Sequence, residues 1–128
     1  MSADAAAKSD DLQKWNACMQ QLSGFDNVYM KLSGAFSELS DDRVSVHAPE
    51  QIVTSIKPWL DSIFTNFGSE RIMFGSDWPV CNVRGPATEE SWSVWTNTVR
   101  IALDSLQLSE EQKARIWHGT ASEAYRLP

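Results

Sequence analysis

Two short apolar segments on either side of a long helical pattern constrain the fold of this chain most. The first, "NVYMKLSG" at 27–34, alternates apolar and polar residues as a half-buried strand does. The second, "RIMFG" at 71–75, is a compact apolar run ended by glycine. A strand, a helix and a second strand in this order favour a parallel crossover unit, so the sequence predicts an α/β fold.

Helices are predicted wherever apolar residues recur at steps of three and four. They cover residues 9–24, 49–67, 88–106 and 110–118, with the tryptophans Trp92, Trp95 and Trp117 interpreted as core. Pro58 lies inside the second pattern and is expected to kink or break that helix. Thr88 is expected to cap the third helix, and Ser109 and Gln112 to form a capping box at the start of the fourth. Gly119 is expected to end the fourth helix. Residues 1–8 are predicted to be a flexible lead-in, and 9–128 to form one domain.

Composition excludes several classes of function. The chain of 128 residues has 42% apolar residues and a net charge of −6, without a cluster of Lys and Arg, which disfavours binding to nucleic acid or to an anionic membrane. No apolar run approaches the roughly 20 residues that span a bilayer. The two cysteines are too few for a disulfide framework, so we expect a cytoplasmic protein.

Polar residues gather at the carboxyl ends of the two predicted strands. In parallel α/β folds this is where functional residues collect. If Ile72 and Phe74 pack against helices, alternation turns Asp77 toward the opposite, inward side of the sheet. By the same logic Lys31 and Ser33 share the inward face of the first strand. These side chains are therefore candidates for a site.

Other interpretations of these residues remain open from spacing alone. Asp77 precedes Trp-Pro and is also typical of a turn, in which aspartate bonds to nearby backbone amides. Lys31 is also typical of an edge lysine that extends its ammonium group into water. The acidic residues within 38–42 favour a solvated loop, and His118 favours a helix end.

Three segments together resemble one known family. They are "NVYMKLSG", "FGSERIMFGSDWPVC" and "IWHGTASEAYRL", and they resemble the last part of the amidohydrolase superfamily. The most similar branch is the amidohydrolase-related group that includes sugar-lactone and pyrone-dicarboxylate lactonases. The resemblance implies the C-terminal portion of a (β/α)8 TIM barrel, with two or three strands and their flanking helices. Such a portion is an incomplete barrel.

The resemblance also implies a reaction and its residues. The expected activity is metal-dependent hydrolysis of a small molecule, a lactone or a related cyclic ester or amide. Asp77 matches the aspartate at the end of the eighth barrel strand, which binds a divalent metal, with zinc expected, or acts as general base toward water. Lys31, Ser33 and Trp78 are the expected substrate-binding residues.

The histidine content sets this chain apart from the family pattern. The family's first strand carries a His-x-His pair and a middle strand another histidine, whereas this chain has two histidines in total, neither at a predicted strand end. Zinc sites usually have three or four protein ligands, so Asp77 alone does not complete one. We therefore expect the isolated chain to have little or no activity.

Two alternatives follow from the same resemblance. In one, the chain is a non-catalytic half-barrel that self-associates or pairs with a complementary half through exposed strand edges. In the other, the superfamily is the same but the reaction is decarboxylation, which fold analogy does not separate from hydrolysis.

Overall fold

The structure, a computed structural model, describes residues 3–35, 48–82 and 90–128. The elements in chain order are α1 (Ala3–Ser23), β1 (Met30–Leu32), α2 (Pro49–Phe67), β2 (Ile72–Phe74), a 3-10 turn (Val80–Asn82), α3 (Glu90–Ser105), α4 (Glu110–Ala114), a π-helical turn (Arg115–Gly119) and α5 (Thr120–Ala124). Thr88, the predicted cap of the third helix, and the acidic residues within 38–42 lie outside the described residues.

The two strands pair in parallel, as predicted. Met30 lies opposite Ile72 and Leu32 opposite Phe74. Both strands are shorter than their apolar patterns, with three residues each. In the described part of the chain they form one two-stranded sheet, joined by a crossover that contains α2. The α/β class is therefore confirmed.

The apolar core lies between this sheet and the helices α2 and α3. α2 buries the predicted stripe along one face, and α3 packs beside it. The core residues include Leu32, Ile52, Ile56, Leu60, Ile63, Phe67, Ile72, Trp95, Val99, Leu103 and Ile116. Ile72 is fully buried, and the ring of Phe74 lies 4.7 Å from that of Trp117, so this face of β2 packs against helices as predicted.

Some local predictions were wrong. Pro58 does not break α2, which runs as one helix from Pro49 to Phe67, and the kink expected as the alternative stays a prediction. Gly119 does not end a helix, because the chain continues through the π-helical turn into α5. Trp92 is half exposed, since the buried side of α3 passes through Ser91 and Trp95 and leaves Trp92 on its flank.

The first helix starts earlier than predicted and is anchored by polar contacts. It begins at Ala3 rather than at residue 9. Asn16 accepts hydrogen bonds from Ser62 and from Asn66 of α2, the latter at 3.1 Å. The Arg71 guanidinium donates to the carbonyl of Ser23 at 2.8 Å. α1 is thereby tied both to α2 and to the start of β2.

The described helices include none long and apolar enough to cross a membrane.

Candidate functional site

Asp77 lies three residues beyond the end of β2, in a backbone conformation that few residues adopt. Its φ is +57°, in the left-handed region, which aspartate tolerates better than most side chains. Its carbonyl accepts a hydrogen bond of 2.9 Å from the Cys81 amide, which closes the turn toward the 3-10 segment. The peptide bond between Trp78 and Pro79 is cis.

The turn leaves the Asp77 side chain available. The side chain that bonds to a backbone amide here is that of Ser76, whose hydroxyl accepts from the Trp78 amide at 3.3 Å. Among the described residues, the Asp77 carboxylate accepts no hydrogen bond and forms no ion pair. Asp77 is thus a turn residue through its backbone, while its carboxylate has no partner among the described residues.

The carboxylate of Asp77 lies against the end of β1. Gly34, just past that strand, has a φ of +73°, and a Cβ added to it would lie 3.6 Å from the Asp77 Oδ2. The two strand ends therefore converge, with a left-handed residue at each. This convergence places the carboxylate at the edge where the parallel strands finish.

The side chains of Lys31 and Ser33 lie close to Gly75, just past the end of β2. A Cβ added to Gly75 would lie 3.0 Å from the Ser33 Cβ and 3.8 Å from the Lys31 Cε. Lys31 is exposed, and no described residue forms an ion pair or a hydrogen bond with it. Its side chain thus extends beside Gly75 toward the strand ends.

Trp78 directly follows Asp77 and is 68% exposed. Its indole therefore offers an open aromatic surface next to the carboxylate. His118, by contrast, lies on the exposed side of the C-terminal helical segment, where its Nε2 is 3.4 Å from the Ser122 hydroxyl. It takes no part in this cluster, and it does not stand at a helix end as predicted.

Two residues near Asp77 were not identified from the sequence as parts of this region. The Trp95 indole Nε1 donates a hydrogen bond of 2.8 Å to the carbonyl of Gly75. Cys81 is buried, and burial together with the nearby Asp77 carboxylate raises the pKa of its thiol, which stays protonated at neutral pH. Helical spacing predicted Trp95 only as core, and a single cysteine in a loop carries no pattern.

The described residues do not form a complete metal site on their own. Within 3–35, 48–82 and 90–128, no three His, Cys, Asp or Glu side chains come together in a way that could hold an ion. Asp77 has the right chemistry for one oxygen ligand, but zinc usually takes three or four protein ligands.

A concave region lies on another part of the molecule, away from the strand ends. It is an open cavity of about 400 Å³ near the amino end of β2. Its lining residues are Asp61, Phe64, Thr65, Gly68, Ser69, Leu106, Leu108 and Gln112. The lining contains one carboxylate, that of Asp61, and one amide, that of Gln112, and its other groups are hydroxyl or apolar. It therefore lacks a pair of opposite charges such as Lys31 and Asp77 at the strand ends.

Two relatives found by comparison with curated proteins are both named lactonases. L-fucono-1,5-lactonase of Burkholderia multivorans is 34% identical over 119 residues, which cover 91% of this chain and 36% of that protein. L-rhamnono-gamma-lactonase of Scheffersomyces stipitis is 34% identical over 103 residues, covering 79% of this chain and 29% of that protein. The chain thus spans about a third of the length of these curated relatives.

Solved structures and a family model agree with these relatives. The crystal structure of an amidohydrolase from Burkholderia multivorans with bound zinc superposes with a TM-score of 0.76 at 32% identity, covering 91% of this chain and 38% of that one. A sequence model described as amidohydrolase matches residues 3–127. The chain therefore belongs to the amidohydrolase family.

Proposed function

We propose that this chain carries the strand-end aspartate of a lactone hydrolase and forms part of a (β/α)8 barrel. The observation that carries the proposal is the convergence of Asp77 with the end of β1, next to Lys31 and Ser33. The lactonase names of two relatives support a lactone as the substrate class.

In the proposed reaction Asp77 is the general base. Its carboxylate takes a proton from a water molecule, and the water oxygen attacks the carbonyl carbon of the lactone. The ring C–O bond then breaks, and the proton held by Asp77 passes to the departing alkoxide oxygen. The product is the open-chain hydroxy acid. A carboxylate without a hydrogen-bonding partner among the described residues is well suited to this role.

The neighbouring side chains have proposed roles in binding. The Lys31 ammonium would stabilise negative charge on the carbonyl oxygen as the tetrahedral intermediate forms. Ser33 would donate a hydrogen bond to a substrate hydroxyl, and the exposed face of Trp78 would pack on the C–H face of the ring.

Asp77 is also the proposed protein ligand for a divalent metal, in keeping with the zinc in the related amidohydrolase structure. When bound, such an ion would polarise the carbonyl and acidify water. Because Asp77 supplies only one ligand, the described residues do not hold the ion without further ligands.

Hydrolysis of a sugar lactone tests the proposal. The chain is supplied with Zn²⁺ and L-fucono-1,5-lactone, and acid release is followed at constant pH for the wild type, Asp77→Asn and Asp61→Asn. We expect the low activity of the wild type to fall to the uncatalysed rate in Asp77→Asn only, because loss of a general base typically lowers a rate by about 10²–10⁴-fold. Asp61 is the matched control, because its carboxylate pairs with Lys57 on the exposed side of α2.

One result would contradict the proposed role of Asp77. If Asp77→Asn released acid as fast as the wild type, Asp77 would not be the base. If neither the wild type nor Asp61→Asn exceeded the uncatalysed rate, the isolated chain would be inactive, as its single metal ligand among the described residues leads us to expect, and the comparison would be repeated with a complementary barrel half added.

A further inference from the structure

Gly75 joins three elements at the end of β2. Its amide donates to the Leu32 carbonyl of β1 at 3.1 Å, and its own carbonyl accepts from the Trp95 indole at 2.8 Å. Asp77 follows two residues later. The last point at which β2 is held before Asp77 is therefore a bond to a side chain of α3.

The Trp95 side chain is itself rigidly placed. It is 1% exposed and belongs to the same core cluster as Val99 and Leu103, its neighbours along α3. A buried indole can contribute through its apolar surface and through its single N–H donor, and the two contributions are separable. In Trp95 the donor is directed to the strand end rather than to another helix.

The left-handed conformation of Asp77 needs such support. Aspartate tolerates this region better than most residues do, but a residue other than glycine is still strained there, and the conformation persists where the surroundings determine it. On one side of Asp77 the Trp95 indole fixes Gly75, and on the other the Cys81 amide bonds to the Asp77 carbonyl at 2.9 Å. The left-handed residue is thus held between two fixed points.

We propose that Trp95 is a positioning residue that keeps Asp77 in its left-handed conformation and so directs the carboxylate toward Gly34. The consequence of this positioning for catalysis rests on the proposed function of Asp77. The positioning itself can be tested separately, because the backbone conformation of Asp77 can be measured without any substrate.

The test compares two tryptophan substitutions in the isotopically labelled chain. Trp95→Phe removes the N–H donor and keeps an aromatic ring, whereas Trp92→Phe is the matched control, since Trp92 lies on the same helix and is 51% exposed. The readout is the strong intraresidue cross-peak between the amide and Hα protons of Asp77 that a positive φ produces in NMR spectra.

We expect the wild type and Trp92→Phe to show this cross-peak. In Trp95→Phe it should be lost, while the resonances of α1 and α2 keep their wild-type positions. A purely structural role for Trp95 would lower stability without changing the sign of φ at Asp77. Retention of the cross-peak in folded Trp95→Phe would overturn the proposal.

A second measurement uses the unmodified chain, so that it stands even if Trp95→Phe fails to fold. The indole proton of Trp95 should exchange with solvent about tenfold or more slowly than that of Trp92, because it is buried and hydrogen-bonded. Equal exchange rates for the two indole protons would mean that the bond to Gly75 is not formed, and would overturn the proposal.

Discussion

At the scale of single residues, Gly75 shows how closely the two strand ends approach. A side chain at this position would place its Cβ 3.0 Å from the Ser33 Cβ, closer than real Cβ atoms normally come. Gly75→Ala should therefore destabilise the chain by about 1–3 kcal/mol, the usual cost of overpacking. The free energy of unfolding in urea measures the effect.

Ser33→Gly provides the matched test of this contact. It removes the atom that a Gly75→Ala methyl would meet, after which the nearest side-chain atom is the Lys31 Cε at 3.8 Å. In a double-mutant cycle the two substitutions together should cost less than the sum of the single ones. Strict additivity would show that the strand ends are farther apart than described.

The residues of the candidate site were predictable to different degrees. Strand alternation placed Lys31 and Ser33 on one face of β1, because a period of two fixes which side chains share a face. Asp77 lies beyond the end of β2, and its role came from the family resemblance and stays a prediction. Trp95 was predicted only as core, because helical spacing says that a side chain is buried but not which carbonyl its N–H meets. The half exposure of Trp92 was missed for a related reason, since apolar residues on the flank of a stripe look like members of it.

At the scale of secondary-structure elements, Arg71 holds the end of α1 to the sheet. Its guanidinium donates to the carbonyls of Ser23, Phe25 and Val28 at 2.8, 2.9 and 3.2 Å, and it lies 5.3 Å from the centre of the Phe67 ring. These carbonyls belong to the end of a helix and to the loop before β1, outside regular helix and sheet hydrogen bonding, and the Phe25 carbonyl also accepts from the Val28 amide at 3.1 Å.

Arg71→Met should therefore destabilise the chain by about 1–3 kcal/mol, as expected for loss of charge-assisted hydrogen bonds. Thermal or urea unfolding followed by circular dichroism measures this loss. Arg100→Met is the control, because Arg100 bonds only to Asn97 on the exposed side of α3 among the described contacts. Equal stabilities of the two variants would contradict the anchoring role of Arg71.

Element boundaries depended on contacts that a single sequence does not display. The capping box of Ser109 and Gln112 was predicted correctly, because both of its hydrogen bonds are local. The prediction that Gly119 ends the helix was wrong, because tertiary contacts hold the turns on both sides of it. Arg115 and Thr120 donate hydrogen bonds to the Glu70 carbonyl, and Ile116 is fully buried. Such long-range packing outweighs the local preference of glycine.

At the scale of the whole molecule, one charged cluster ties the C-terminal helix to the sheet side of the chain. Glu123 pairs with Arg115 and accepts a hydrogen bond from the Tyr29 hydroxyl at 3.2 Å. The bond from Arg115, followed by that from Tyr29, lowers the pKa of Glu123 below its ordinary value of 4.5. The ionised form is therefore favoured in the folded state.

A carboxyl whose pKa is lower in the folded than in the unfolded state contributes its full stabilisation only above the unfolded-state pKa, where it is ionised in both states. That contribution is lost as the pH falls through the lower pKa of the folded state. Glu123→Gln should accordingly be less stable than the wild type at pH 7, and the difference should shrink in acid. Asp26→Asn, at an exposed loop position, is the control, and a difference independent of pH would contradict the prediction.

We propose that the ends of β1 and β2 form the substrate site of a lactone hydrolase. Titration of the labelled chain with a lactam isostere of a sugar lactone, which resists hydrolysis, tests it directly by NMR. We expect the amide resonances of residues 31–34 and 75–78 to shift together, and Asp77→Asn to weaken these shifts. Shifts confined to the cavity lined by Phe64, Gly68 and Leu108, with none at the strand ends, would contradict it.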